Sequence, residues 1–271
     1  MSDHAADRGE AVRPDHDDPL PGSIEAGNAL HTILEYLDYT SVSGVDSWRD
    51  WLDETTGDRT VRALVDEVLD EHRFEPARFR AYTAQILFDA LRAPLSTDGG
   101  ELPSAAELDG GGTAREVSFL LPIPQDGAQC LGAVPAHGTP IDTGYFTGEI
   151  DLVFEHDSRV YIADWKSDTR IGGDAYDRQT LGEHVESNYR TQIAVYTTVL
   201  MRMLNIESQD QYERFGGFFY LFVRGMDPGG EGGQFFERLP WSETVQLCRR
   251  FTEMSPKEAI ESWTKCRGGM Q

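Results

Sequence analysis

Gly148-Glu149-Ile150-Asp151-Leu152-Val153-Phe154 and then Val160-Tyr161-Ile162-Ala163-Asp164-Trp165-Lys166 are the stretches from which the rest of the chain can be read. Both are β-branched and aromatic, the composition of strands, and His156-Asp157-Ser158-Arg159 between them reads as a turn. The pattern predicts strands over Tyr145 to Phe154 and Val160 to Trp165, paired antiparallel across that turn. Such pairing brings Asp151 and Asp164 to one end of a sheet, where two carboxylates can bridge an oxygen-seeking divalent ion. Lys166 lies two residues beyond Asp164, so alternation puts both on one face.

An isolated Asp-x-Lys on a hairpin is more often a pair of solvated charges than a site, so the surroundings decide. The 271 residues include three lysines, Lys166, Lys257 and Lys265, and a composition that avoids lysine has one here. Hydrophobic residues make up 39%, enough for a core of one large or two small domains. No apolar run approaches the roughly 18 residues of a membrane span, and the polar N-terminus has no signal-like core, so a cytoplasmic protein with no membrane partner is expected. Cys130, Cys248 and Cys266 are scattered and form no Cys-x-x-Cys, which argues against a disulfide framework, a cysteine-bound zinc or an iron-sulfur cluster. The net charge is −23, a poor match to a polyanionic ligand. It suits either a saline, halophilic habitat that screens an acidic surface, or a polyanion delivered by a partner.

Residues 1–20, rich in Asp, His, Pro and Arg, read as a disordered tail. From the cap-like Ser23, the spacing of Ile24, Gly27, Leu30, His31, Leu34 and Leu37 is helical and puts His31 on a face with Gly27 and Leu34. Two further amphipathic helices are expected through Val61, Leu64, Val65, Val68 and Leu69, and from Pro76 through Phe79, Tyr82, Ile86, Leu87 and Leu91. These complete a helical part over 21–95. Residues 96–114 read as a long loop. Strands follow from Glu116 to Leu121 and through the opening hairpin. A helix from about Glu186 to Leu204 and a strand from Phe215 to Arg224 come next, then C-terminal helices over 241–271, the last opened by the capping box Ser255-Pro256-Lys257-Glu258.

The run Gly144 to Phe154, then Tyr161-Ile162-Ala163-Asp164-Trp165-Lys166-Ser167, resembles the nuclease domain of RecB, within the PD-(D/E)XK superfamily. Three other stretches extend the likeness in the same order: Gly27-Asn28-Ala29-Leu30-His31 is similar to the family's G-x-x-x-H helix, Gln192-Ile193-Ala194-Val195-Tyr196 to its Q-x-x-x-Y helix, and Phe215 to Met226 to its next strand. The resemblance implies an α/β (α+β) restriction-endonuclease-like core over 115–240, a mixed central sheet flanked by helices with an N-terminal helical layer. It also implies Mg²⁺- or Mn²⁺-dependent hydrolysis of DNA, with a divalent ion held by His31, Asp151, Asp164 and the Trp165 carbonyl, and Lys166 acting on the attacking water or the developing charge.

Each role has a bland counterpart. A histidine on an apolar helix face is more often a satisfied core residue, and its place in Gly27-x-x-x-His31 is what favours a ligand. Gln192 and Tyr196 share a helix face and either support the site and contact DNA phosphate, or are a core tyrosine and its hydrogen-bonded neighbour. Glu116, at a family acidic position, reads as a solvated or outlying acid. A P-loop needs Gly before its lysine, whereas the three lysines here follow Trp165, Pro256 and Thr264, so a helicase is expected in trans if one is used. Relatives of the Cas4 and AddB kind hold an iron-sulfur cluster with four cysteines, which this chain lacks. An exonuclease of recombinational repair is the expected function. The alternatives are a RecC-like scaffold, which would need none of Asp151, Asp164 and Lys166, and a same-superfamily nuclease of restriction or phage defence.

Overall fold

The computed structural model describes residues 19–108, 112–122, 145–169, 171, 176–230, 232–253, 258 and 261–263. Nearly all of the expected tail, Cys130, Cys266 and the Ser255-Pro256-Lys257 start of the last capping box lie outside them. Ser23 caps helix α1 (Ile24–Tyr36), its hydroxyl accepting from the Ala26 N–H at 3.2 Å. Ile24, expected on the buried face, is 79% exposed, because the first residue of α1 lies beyond the surface that packs. A 3-10 turn (Tyr39–Val42), a short α2 (Trp48–Trp51) and a hairpin of β1 (Thr55–Thr56) and β2 (Arg59–Thr60) lead into α3 (Val61–Glu71) and α4 (Pro76–Arg92). The five apolar positions expected of α3 are all buried.

The segment read as a loop after α4 is partly structured. β3 (Leu95–Thr97) and β4 (Gly100–Leu102) pair across Asp98-Gly99, a dipeptide that suits a two-residue turn, and Ala105, Ala106 and Leu108 are buried. Gln234 holds the hairpin, accepting from the Ser96 N–H at 3.0 Å and donating to the Pro94 carbonyl at 2.8 Å.

The central sheet takes β5 (Thr113–Pro122), β6 (Tyr145–His156), β7 (Arg159–Lys166), β8 (Phe215–Phe222) and β9 (Gln234–Glu237) in that spatial order. All neighbours are antiparallel except β7 and β8, which run parallel. Asp157 and Ser158 turn the chain from β6 to β7 with φ of 49° and 61°, the left-handed pair that matches a two-residue hairpin to strand twist. A parallel neighbour needs a crossover, supplied by α5 (Arg178–Asn188), α6 (Arg190–Met203) and a short α7 (Gln209–Tyr212). The helix expected from about Glu186 is therefore two helices, broken at Tyr189 (φ −121°, ψ 2°). With Leu181 and Val185 as its buried residues, α5 has too little apolar periodicity to stand out in sequence.

Every residue of β8 is buried, as a strand covered on both faces must be. One core lies between one sheet face, including Leu152, Ala163, Trp165 and Phe219, and α1, α3 and α4. The other joins Ile150, Ile162, Phe218 and Tyr220 to α5, α6 and α8 (Trp241–Glu253). Helix, mixed sheet and helix thus make three layers. Among the described residues no helix is long and apolar enough to cross a membrane.

Candidate active site

Asp164 and Lys166 stand two apart on β7 and face the α6 side, where both are almost wholly buried. Asp164 Oδ2 forms an ion pair with Lys166 Nζ, and Asp164 Oδ1 accepts from Gln192 Nε2 at 2.7 Å. Lys166 Nζ also donates to Gln192 Oε1 at 3.0 Å, so one amide holds both members of the pair. A buried ion pair is tolerated where further hydrogen bonds satisfy its remaining donors and acceptors, and Gln192 provides them. Gln192 Nε2 lies 3.0 Å from the Tyr196 hydroxyl, which donates to the Glu149 carbonyl at 2.6 Å. Tyr196 is 6% exposed, so it braces β6 against α6.

Asp151 comes from the neighbouring strand, one step beyond the Leu152–Ala163 pair. Its Oδ2 accepts from the Trp165 N–H at 2.8 Å and lies 3.6 Å from His31 Nδ1. The His31 side chain is 38% exposed and is not a core histidine. A Cβ at Gly27 would come 2.7 Å from Ser167 Oγ, so glycine lets α1 approach the end of β7 and bring His31, one turn later, beside Asp151. Trp165 points the other way, donating from Nε1 to the Tyr39 hydroxyl at 3.0 Å.

His31, Asp151, Asp164, Lys166, Gln192 and Tyr196 line one cleft of about 1220 Å³, where, among the described residues, Glu35, Glu116, Glu149, Asp151, Asp164 and Asp168 face one lysine, Lys166. Burial, then the charge of Asp164, raises the Asp151 carboxyl well above the ordinary aspartate range, against the opposing pull of Lys166 and the Trp165 N–H. Shielding by its surroundings, then the charges of Glu35 and Glu149, also raises the Glu116 carboxyl from its ordinary value. Among the described residues, no three His, Cys, Asp or Glu side chains already converge at ligand spacing, and Asp164 leans to Lys166 and Gln192. The donor set still fits a hard divalent cation. Two carboxylates, an imidazole nitrogen and, among the described residues, an excess of negative charge meet at one end of the sheet, and a cation relieves the Asp164 repulsion that adds to burial in lifting Asp151.

A family model described as the PD-(D/E)XK nuclease superfamily matches residues 3–264. The chain belongs to that superfamily. It is 31% identical over 225 residues to the RecBCD enzyme subunit RecB of Escherichia coli, which covers 77% of this chain and 17% of that protein. RecB of Haemophilus influenzae is 38% identical over 100 residues, 35% of this chain and 8% of that protein. An ATP-dependent helicase/nuclease subunit of Bacillus pumilus is 24% identical over 183 residues, 68% of this chain and 13% of that protein. This PD-(D/E)XK chain therefore spans less than a fifth of the length of these relatives, and the homology with RecB falls in its nuclease region.

Of the residues singled out in sequence, His31, Asp151, Asp164, Trp165, Lys166, Gln192 and Tyr196 gather around the cleft or directly behind it. Glu116 also lines it. Sequence reading missed Tyr189 and Tyr220 as neighbours of Lys166, and Asp168 as the acceptor of the Tyr189 hydroxyl. Asp168, two residues past the lysine on a polar stretch, is a weak signal; the tyrosines read as apolar helix and strand positions and give none.

Proposed function

We propose that this chain is a divalent-metal-dependent deoxyribonuclease that hydrolyses phosphodiester bonds at DNA ends or in single strands, in recombinational repair, with a separate helicase feeding it. The observation that carries the reading is the meeting of Asp151, Asp164 and Lys166 from two adjacent strands with His31 from α1 in one cleft. A scaffold would have no use for a buried lysine and aspartate held by a dedicated glutamine. The similarity to RecB, a subunit of the RecBCD enzyme, and to a helicase/nuclease subunit supports a nuclease that works with a helicase.

His31, Asp151, Asp164 and the Trp165 carbonyl would hold Mg²⁺ or Mn²⁺. When bound, such an ion neutralises the non-bridging phosphoryl oxygens and lowers the pKa of a water. Lys166, a compact ammonium with three donors, orients the attacking oxygen or stabilises charge developing on the phosphoryl group. Gln192 keeps Lys166 and Asp164 in register, and Tyr196 keeps Gln192 fixed to β6. The acidic cleft repels phosphate by itself, so productive entry depends on neutralising the carboxylates.

The test is cleavage of end-labelled single- and double-stranded DNA with Mg²⁺, Mn²⁺ or EDTA, at low and at molar salt. Cleavage that EDTA abolishes is expected, with release of short products from ends. Full activity in EDTA, or none under any condition including added helicase, would refute the reading.

A further inference from the structure

We propose that Tyr189 and Tyr220 form an aromatic box that sets the position of the Lys166 ammonium, with Asp168 anchoring Tyr189; the inference rests on the nuclease role of Lys166 given above. Lys166 Nζ stands 4.4 Å from the centre of the Tyr189 ring and 4.9 Å from that of Tyr220. The two rings lie 5.0 Å apart at 40°. An ammonium has three donors. Two sides of this one meet Asp164 and Gln192, and the tyrosine π faces bound another. Lysine is a point charge on a flexible four-carbon stem, so two polar partners alone leave it free to pivot, and a ring face on a desolvated side removes that freedom.

The rings are themselves held. The Tyr189 hydroxyl donates to both carboxylate oxygens of Asp168, at 2.8 and 2.9 Å, and His184 Nε2 lies 3.0 Å from Asp168 Oδ1. The Tyr176 hydroxyl fixes the same residue through its backbone carbonyl at 2.8 Å. A phenol donating to a carboxylate has a more electron-rich ring, which strengthens its hold on the cation. The Tyr220 hydroxyl lies within hydrogen-bond distance of two acceptors that share its one proton, Gln192 Oε1 at 3.0 Å and the Tyr189 carbonyl at 3.1 Å, tying the second ring to the break between α5 and α6. Tyr189, Tyr220 and Asp168 are thus positioning residues, and none of them needs to touch substrate.

The experiment exploits the three lysines of the chain. Full-length protein labelled with ¹³C at lysine Cε gives few signals, and Lys166→Arg identifies the one that matters. Ring currents from two tyrosines should displace it upfield of the others. In Tyr189→Leu the signal should move back toward the others, and kcat should fall about 10- to 30-fold with KM and metal dependence within about twofold, the scale of a desolvated cation-π contact. Tyr189→Phe keeps the ring, so most of the displacement and a kcat within about threefold should remain. A wild-type Lys166 signal coincident with the others, or a Tyr189→Phe variant that falls as far as Tyr189→Leu, would overturn the box. So would a folded Tyr189→Leu with wild-type kcat. If Tyr189→Leu fails to fold, the wild-type displacement and the Phe variant decide. A displaced signal in a wild-type protein that never cleaves DNA would support the box and sink the nuclease reading.

Discussion

Glu116 and Asp151 are the two residues left unpaired in the register of β5 with β6, where the strands lose their two-residue alternation. Arg115 pairs with Leu152 and Val117 with Ile150, yet Ile150 belongs to the core beneath α6 and Leu152 to the core beneath the helical layer. Glu116 has φ of 50°, a conformation that costs a non-glycine residue roughly 1 kcal/mol or more and that clusters at functional sites. The break leaves Asp151 between the two faces, able to meet the Trp165 N–H and approach His31 from the opposite layer.

Lys166→Ala should lower cleavage by about two to three orders of magnitude, the scale of one lost preorganised electrostatic group. It should also destabilise the fold by roughly 3–5 kcal/mol, because Asp164 is left buried without its cation. The double variant Asp164→Asn, Lys166→Met should recover most of that stability in denaturant melts while remaining inactive. Equal stability of Lys166→Ala and wild type would contradict the pairing.

His31→Ala should weaken Mn²⁺ affinity, read by calorimetry, with little effect on melting temperature, since the side chain is over a third exposed. Excess metal should restore part of the activity. A large thermal loss with unchanged metal affinity would assign His31 to structure.

Gly27→Ala should cost about 1–3 kcal/mol, the range for overpacking, and should weaken metal binding by pushing α1 from Ser167. Since the clash is with Ser167 Oγ at 2.7 Å and the Ser167 Cβ is 3.8 Å away, Ser167→Ala should rescue both. Failure of the rescue would mean that Gly27 acts otherwise.

The raised Asp151 carboxyl carries a pH signature. Between the ordinary aspartate value of about 3.9 and its own higher value, the folded state holds a proton that the unfolded state has released. Its contribution to stability is therefore full at the acid end of that window and declines as pH rises through it. Thermal melts in EDTA from mildly acid to neutral pH should show a steeper decline for wild type than for Asp151→Asn, and saturating Mg²⁺ should flatten the wild-type curve. Parallel curves for the two proteins would refute the assignment.

The net charge of −23 should make stability rise as KCl goes from dilute to molar, through screening of carboxylate repulsion. DNA affinity should vary weakly with salt, because few phosphate contacts release few counterions. A flat melting series would remove the saline-habitat explanation and leave delivery by a helicase as the account of the acidity.

Much of this was legible in sequence because it depends on neighbours along the chain. The hairpin of Asp151 and Asp164, the helix capped by Ser23, the buried face of α3, and the shared face of Asp164 and Lys166 follow from periods of two and 3.6 residues and from local caps and turns. Other features depend on groups distant in sequence. Period alone treats Asp151 as one more alternating position, and neither the left-handed backbone of Glu116 nor the gap it shares with Asp151 in the register has a signal in the alternation. The split at Tyr189 passes unseen because α5 has few apolar residues, and its consequence, a ring against Lys166, requires β8 to pair parallel with β7 and bring Tyr220 alongside. Local chain chemistry determined which residues could do the work; only packing across the sheet decided how they meet, because close contacts between distant segments are settled by excluded volume and burial rather than by periodicity.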